Sequence, residues 1–197
     1  MRKLTSLALP RLKKRVSCIY KFSGEMPDLS DIEKTIVCER ASIDLIDRAF
    51  KDSPKRAKVL KKLLAEGAIG IIILDGNQWL AHGFISPPGV ALPKHLPSRV
   101  VLKYWWMFYM HTRPAFRGQG LQKKAILLRL KEIHEAESEI KDIMTDINVK
   151  NIPSRKAFNR IGFKPAGVST SVQLYFPRFG SRTLWWRWDK NKAHPES

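Results

Sequence analysis

From residue 15 to residue 22, apolar Val16, Cys18, Tyr20 and Phe22 alternate with Ser17, Ile19 and Lys21, and a period of two predicts a strand. Gly24 and Pro27 break it. Ser30, followed three residues later by Glu33, has the form of a capping box, so one helix is predicted from there through Ile32, Ile36 and Ile46 to Phe50. Ser53-Pro54 opens a second helix, in which Ala57, Leu60, Leu63 and Leu64 fall at helical spacing before Gly67. Residues 68–74 are a β-branched apolar run stopped by Asp75-Gly76-Asn77, a hairpin signal, and residues 78–85 return as the antiparallel neighbour.

Four prolines and a glycine make residues 86–97 a loop, predicted to be exposed. A long strand follows over residues 100–111 and stops at Thr112-Arg113-Pro114. Residues 120–137 form a helix by their pattern, with Leu121, Ala125 and Leu128 and the offset set Ile126, Leu130 and Ile133 filling one broad face. Residues 143–149 alternate as a strand, Pro153 opens a short helix over residues 154–160 before Gly162-Phe163, and two strands end the chain near residues 169–176 and 183–188. Strands first and then a β-α-β-α-β run predict an α/β (α+β) fold: a mixed sheet with helices on both faces. No repeat or compositional boundary divides residues 1–197, so a single domain is expected.

Composition narrows the class. The chain of 197 residues is 44% hydrophobic, enough for one sizeable core. No apolar run approaches the roughly 20 residues of a membrane helix. Arg2 and Lys3, then Arg11-Leu12-Lys13-Lys14-Arg15, give residues 1–14 the character of a basic arm rather than a signal segment. Cys18 and Cys38 have no CxxC spacing and no nearby histidine pair, so neither a metal site nor a disulfide framework is expected, and a reducing cytoplasm is the expected location. The net charge of +18 and pI near 10.2 favour anionic partners. Nucleic acid, an acidic carrier protein, a nucleotide-linked substrate and an anionic membrane surface all qualify, and so does plain solubility.

The chemistry is concentrated where the long strand turns into the helix, at Arg117-Gly118-Gln119-Gly120-Leu121-Gln122. Unpaired N–H groups of a first helical turn and the positive end of its dipole make such a turn an anion site. No Lys-Ser or Lys-Thr follows Gly120 and no third glycine is present, which excludes a P-loop and a dinucleotide fingerprint.

The stretch from Thr112 to Leu121 resembles the pyrophosphate motif of the GNAT superfamily of acyl-CoA N-acyltransferases: Arg or Gln, two residues, Gly, one residue, then Gly or Ala. Arg117 and Gly120 match; Gln122 replaces the final small residue. Asn151-Ile152-Pro153-Ser154, with Ala157-Phe158 and Gly162-Phe163, resembles the second motif of the same family. The resemblance spans residues 105–163 and implies a mostly antiparallel sheet splayed in the middle, with acetyl-CoA or another acyl-CoA as co-substrate. It further implies that backbone groups of Met110 and Thr112 pair with pantetheine and that Arg117, Gly118, Gln119, Gly120, Leu121 and Gln122 hold the pyrophosphate. Asn151, Ser154 and Phe158 would then lie along the thioester arm.

Aminolysis of a thioester needs a base for the amine and an acid for the thiolate. The family often carries a tyrosine for the acid where this chain has Phe158, leaving Ser154, Tyr109 and Tyr175 as substitutes. Asp146, five residues before Asn151, matches one family location for the base. His111 has a suitable ordinary pKa, but strand alternation from Trp106 and Phe108 directs it to the opposite face unless a bulge intervenes. Trp106 and Phe108 are read as a wall of an acceptor pocket; as part of the cluster from Tyr104 to Tyr109 they also fit an ordinary buried strand. The tail Trp185-Trp186-Arg187-Trp188 is read as a covering strand. The expected function is acetyl transfer to an amine of a small-molecule acceptor, anionic or sugar-linked in the first instance. Transfer of a longer chain from an acyl carrier protein, or nucleic-acid binding on the same fold, are the alternatives.

Overall fold

A computed structural model describes residues 10–22, 24–25, 27, 37–90, 96–97, 100, 102–137, 142–176 and 180–195. Eight strands form one sheet in the order β2-β3-β4-β5-β6-β1-β7-β8. These are β1 (Arg11–Phe22), β2 (Val37–Arg40), β3 (Ile69–Asp75), β4 (Gln78–Ser86), β5 (Trp105–Thr112), β6 (Ile143–Asn148), β7 (Lys164–Phe176) and β8 (Gly180–Asp189). The helices are α1 (Ile43–Ala49), α2 (Pro54–Ala65), α3 (Leu121–Ala136) and α4 (Ile152–Arg160). Every neighbouring pair is antiparallel except β5 and β6.

Side-chain alternation splits the core between the two faces of the sheet. Trp106, Phe108, Phe84, Ile72 and Met144 pack with Leu45, Ile46, Ala49, Leu60 and Leu63 of α1 and α2. Trp105, Met107, Ile143 and Ile147 pack with Ile126, Leu130 and Ile133 of α3 and with Phe158 and Ile161 of α4. Helices therefore cover both faces, as the pattern predicted.

Apart from shifted ends, such as β5 starting at Trp105 rather than near residue 100 and β7 at Lys164 rather than near residue 169, two predicted elements differ. The single helix through Ile46 to Phe50 is instead a strand followed by a short helix: Val37–Arg40 pairs with β3 along the sheet edge, and α1 starts at Ser42, whose side chain accepts the Leu45 N–H at 3.1 Å. Capping thus occurs at Ser42, while the Ser30–Glu33 box lies outside the described residues. The other difference is at the N-terminus, where residues 11–14 of the expected basic arm belong to β1, with Arg11 opposite Tyr175 and Lys14 opposite Val172. Residues 1–9 lie outside the described set.

Candidate active site

β5 and β6 are hydrogen-bonded only at their beginnings, where Trp105, Trp106 and Met107 lie beside Ile143, Met144 and Thr145. The Thr145 hydroxyl donates to the Met107 carbonyl at 2.9 Å, closing the ladder. Beyond it, residues 108–112 and 146–148 pair only with their outer neighbours, β4 and β1. The sheet is therefore open in the middle. A cavity of about 1060 Å³ occupies the opening, lined among others by Phe108, Tyr109, Met110, His111 and Thr112 on one side and Asp146, Ile147 and Asn148 on the other.

The floor of one end is the start of α3. Gly118 and Gly120 have φ of +84° and +73°, a left-handed conformation that side chains disfavour, and a Cβ on either would meet nothing within 4 Å. The first backbone bond of the helix runs from the Lys124 N–H to the Gly120 carbonyl at 3.1 Å. The N–H groups before it have no acceptor within the helix. No acidic residue stands in this turn, so nothing opposes an anion there. Gln122, the departure from the family pattern, donates from Nε2 to Ser154 Oγ at 2.7 Å and ties α3 to α4. Asn151 caps α4, accepting the Ser154 N–H at 3.4 Å.

Of the residues expected in the site, Met110, Thr112, Arg117, Gly118, Gly120, Leu121, Gln122, Asn151, Ser154, His111 and Asp146 all line this one cavity. Gln119 and Phe158 are not among its lining residues. The Phe158 ring is fully buried against Phe163, 4.8 Å away edge to face, in the core beneath α3 and α4. Its neighbour Ala157 reaches the cavity instead. Trp106 is likewise buried in the core, so of the two proposed wall residues only Phe108 lines the cavity.

His111 overturns the expectation from strand alternation. Tyr109 has φ +51°, the one non-glycine positive φ among the described residues, and the pairing of β4 with β5 slips there, from Phe84–Phe108 to His82–His111. This bulge inserts one residue and reverses the alternation. Met110 consequently packs toward α3, and its sulfur receives the Arg129 guanidinium at 2.9 Å. His111 turns to the face of Phe108 and Trp79, 5.7 Å from the Trp79 ring centroid. Burial, helped by Arg56 and Arg117, lowers its pKa below the ordinary 6.5, so the ring is neutral and able to accept a proton at neutral pH.

Arg129 braces the bulge from behind. It is fully buried, donates to the Ala125 and Phe84 carbonyls at 2.7 and 3.2 Å, and lies so close over Gly83 that a Cβ there would stand 2.7 Å from its Cζ. Burial pushes its pKa down.

Asp146 lies across the opening on the same face. Its side chain is 2% exposed, and one carboxylate oxygen receives Arg15 at 3.1 Å. Arg15 also donates to Ser17 Oγ at 3.1 Å. A further residue, His82, carries no motif; its only signal is an imidazole inside a strand whose other interior positions are apolar or glycine. It lines the cavity, is 1% exposed, and among the described residues neither ring nitrogen has a hydrogen bond of good geometry. Burial first, then Arg56 and His111, push its pKa down to about 3, although the nearby Tyr109 backbone works the other way.

No family model matches the chain, and no curated protein matches it in sequence. Among solved structures it is similar to a Drosophila protein (TM-score 0.59, 16% identity, 83% of this chain and 52% of that one). It is similar also to a GCN5-related N-acetyltransferase-like protein from Streptococcus suis (0.56, 14%, 83% and 62%). An acetyltransferase of the GNAT family from Novosphingobium aromaticivorans gives 0.55, 13%, 84% and 66%. The chain thus spans about half to two thirds of the length of these proteins. At such identities the likeness concerns architecture: the chain is an α/β protein with an open, mostly antiparallel sheet. That architecture is the GNAT fold. Among the described residues no helix is long and apolar enough to cross a membrane.

Proposed function

We propose that the chain is an acyl-CoA N-acyltransferase of the GNAT superfamily that transfers an acetyl group to an amine of a small molecule in the cytoplasm. The observation that carries the reading is the opening between β5 and β6, which ends at the glycine turn of α3. A thioester arm fits a slot whose β5 edge lacks a strand partner, and a pyrophosphate fits a helix start with open glycines and no acid. Arg117 and Lys123, both on the cavity wall, add positive charge to that end.

The amine nitrogen attacks the thioester carbonyl, an N–C bond forms and the C–S bond breaks. The amine proton passes to His111, neutral and on the acceptor face, directly or through water. Asp146, held by Arg15, flanks the attacking amine from β6. The thiolate leaves toward α4, where the Ser154 hydroxyl accepts from Gln122 and keeps its own proton to donate. Tyr109, 38% exposed and on the cavity wall, is the second donor in that region.

Acetyl-CoA at about 100 times its Kd stabilises the native state by roughly 2.7 kcal/mol, which for this size raises Tm by roughly 5–10 °C. Gly120→Glu puts a side chain and a negative charge in the cradle and is expected to remove the shift. An undiminished shift in that variant would mean that the phosphates bind elsewhere.

A further inference from the structure

The acceptor end of the cavity has a charge pattern of its own. The strand order brings four groups into a row across one face of the sheet: His82 on β4, His111 on β5, Asp146 on β6 and Arg15 on β1. At the β4 end stands Trp79, 5.6 and 5.7 Å from the two imidazoles. Arg56 of α2 lies 4.7 Å over its ring and Arg113 5.0 Å from it; these three stand just behind the cavity lining, on the far side of His82, and the Arg56 charge is felt by both imidazoles.

The carboxylates in this region are already engaged. Asp52 receives Arg113 at 2.9 Å and Asp146 receives Arg15 at 3.1 Å. Arg56 has no carboxylate partner among the described residues. Near it, His82 presents a buried imidazole on the cavity wall whose nitrogens make no hydrogen bond of good geometry among the described residues. A buried polar group without a partner is costly, and ligand contacts are a common reason that such a group persists. A polycationic acceptor meets Arg15 at one end of the row and the charge of Arg56 behind the other, and the two carboxylates named among the described residues are already paired with arginines.

From this arrangement we infer that the acceptor is an amine carrying its own carboxylate or phosphate, seated with that anion toward Arg56 and the His82–His111 pair and its amino group toward the opening between β5 and β6. The inference rests on the acyltransferase reading above and specifies its substrate class. Carboxylate and phosphate share the chemistry that Arg56 recognises, so both belong in the test.

The experiment measures thiol release from acetyl-CoA by the full chain with ethanolamine, β-alanine, O-phosphoethanolamine, glucosamine, glucosamine 6-phosphate and spermidine. CoA binding is followed separately by calorimetry. The members of each matched set that carry a carboxylate or phosphate are expected to exceed their congeners without one at least 10-fold in kcat/KM. The better of β-alanine and O-phosphoethanolamine identifies the anion. Arg56→Gln is expected to abolish the preference while leaving the KM for acetyl-CoA unchanged, and Arg56→Lys to retain it, which separates lost charge from lost folding. Preference for spermidine or for the amines without an anionic group overturns the inference, as does a preference that Arg56→Gln leaves intact. CoA binding without turnover of any of these amines also counts against the acceptor class but spares the acyltransferase reading. Absence of CoA binding removes that reading itself.

Discussion

His111 and Asp146 illustrate how placement and protonation select between two candidate bases. Both are on the acceptor face, but Asp146 is pinned by Arg15, whereas burial and then Arg56 and Arg117 disfavour the protonated form of His111. His111→Gln is expected to lower turnover by about 10² with the acetyl-CoA melting shift retained. Asp146→Asn should cost only a few fold in turnover and act chiefly on the acceptor KM. The sign of the pH dependence follows from the lowered pKa: the base works when neutral, so activity is full above the folded-state pKa and falls with acid at a midpoint under 6.5. In His111→Gln that acidic limb should vanish from a kcat/KM profile. If the limb stays and Asp146→Asn removes it, the carboxylate is the base.

The bulge at Tyr109 is the element on which this depends. It is held by packing that no local pattern encodes: Arg129 fills the space behind β4 and β5, and only glycine at position 83 leaves room for its guanidinium. Gly83→Ala forces the guanidinium aside and overpacks the core, at a cost of about 1–3 kcal/mol. Thermal unfolding should show Tm lowered by roughly 2–12 °C, and turnover should fall further than stability alone explains, because His111 moves with the bulge. A variant with normal Tm and normal turnover would show that the bulge stands without Arg129.

At the scale of the molecule, 36 basic against 18 acidic residues leave an electropositive surface around a site whose proposed substrates are both anionic. Long-range attraction then contributes to encounter, and it weakens as the Debye length shrinks to about 8 Å at physiological ionic strength. A plot of kcat/KM against salt should fall from low to physiological concentration, with kcat nearly flat. A flat kcat/KM would assign the excess charge to solubility.

The glycine turn, the two motifs at their spacing and the helices over residues 121–136 and 152–160 were legible in the chain because each is local. A left-handed glycine, a helix start and an apolar period are set by residues within a few positions of one another. The sheet order, the bulge and the depth of the cavity were not local. Residues 37–40 became a strand rather than part of a helix because β3 offered an edge to pair with, an interaction between segments about 30 residues apart that outweighs local helical spacing. His82 and Arg129 gained their roles only when β4, β5 and α3 met, since burial and lost hydration are properties of the packed state. Residue types and spacing marked the turn as one suited to an anion; tertiary packing decided which face His111 presents, because one inserted residue in a strand reverses every side chain after it.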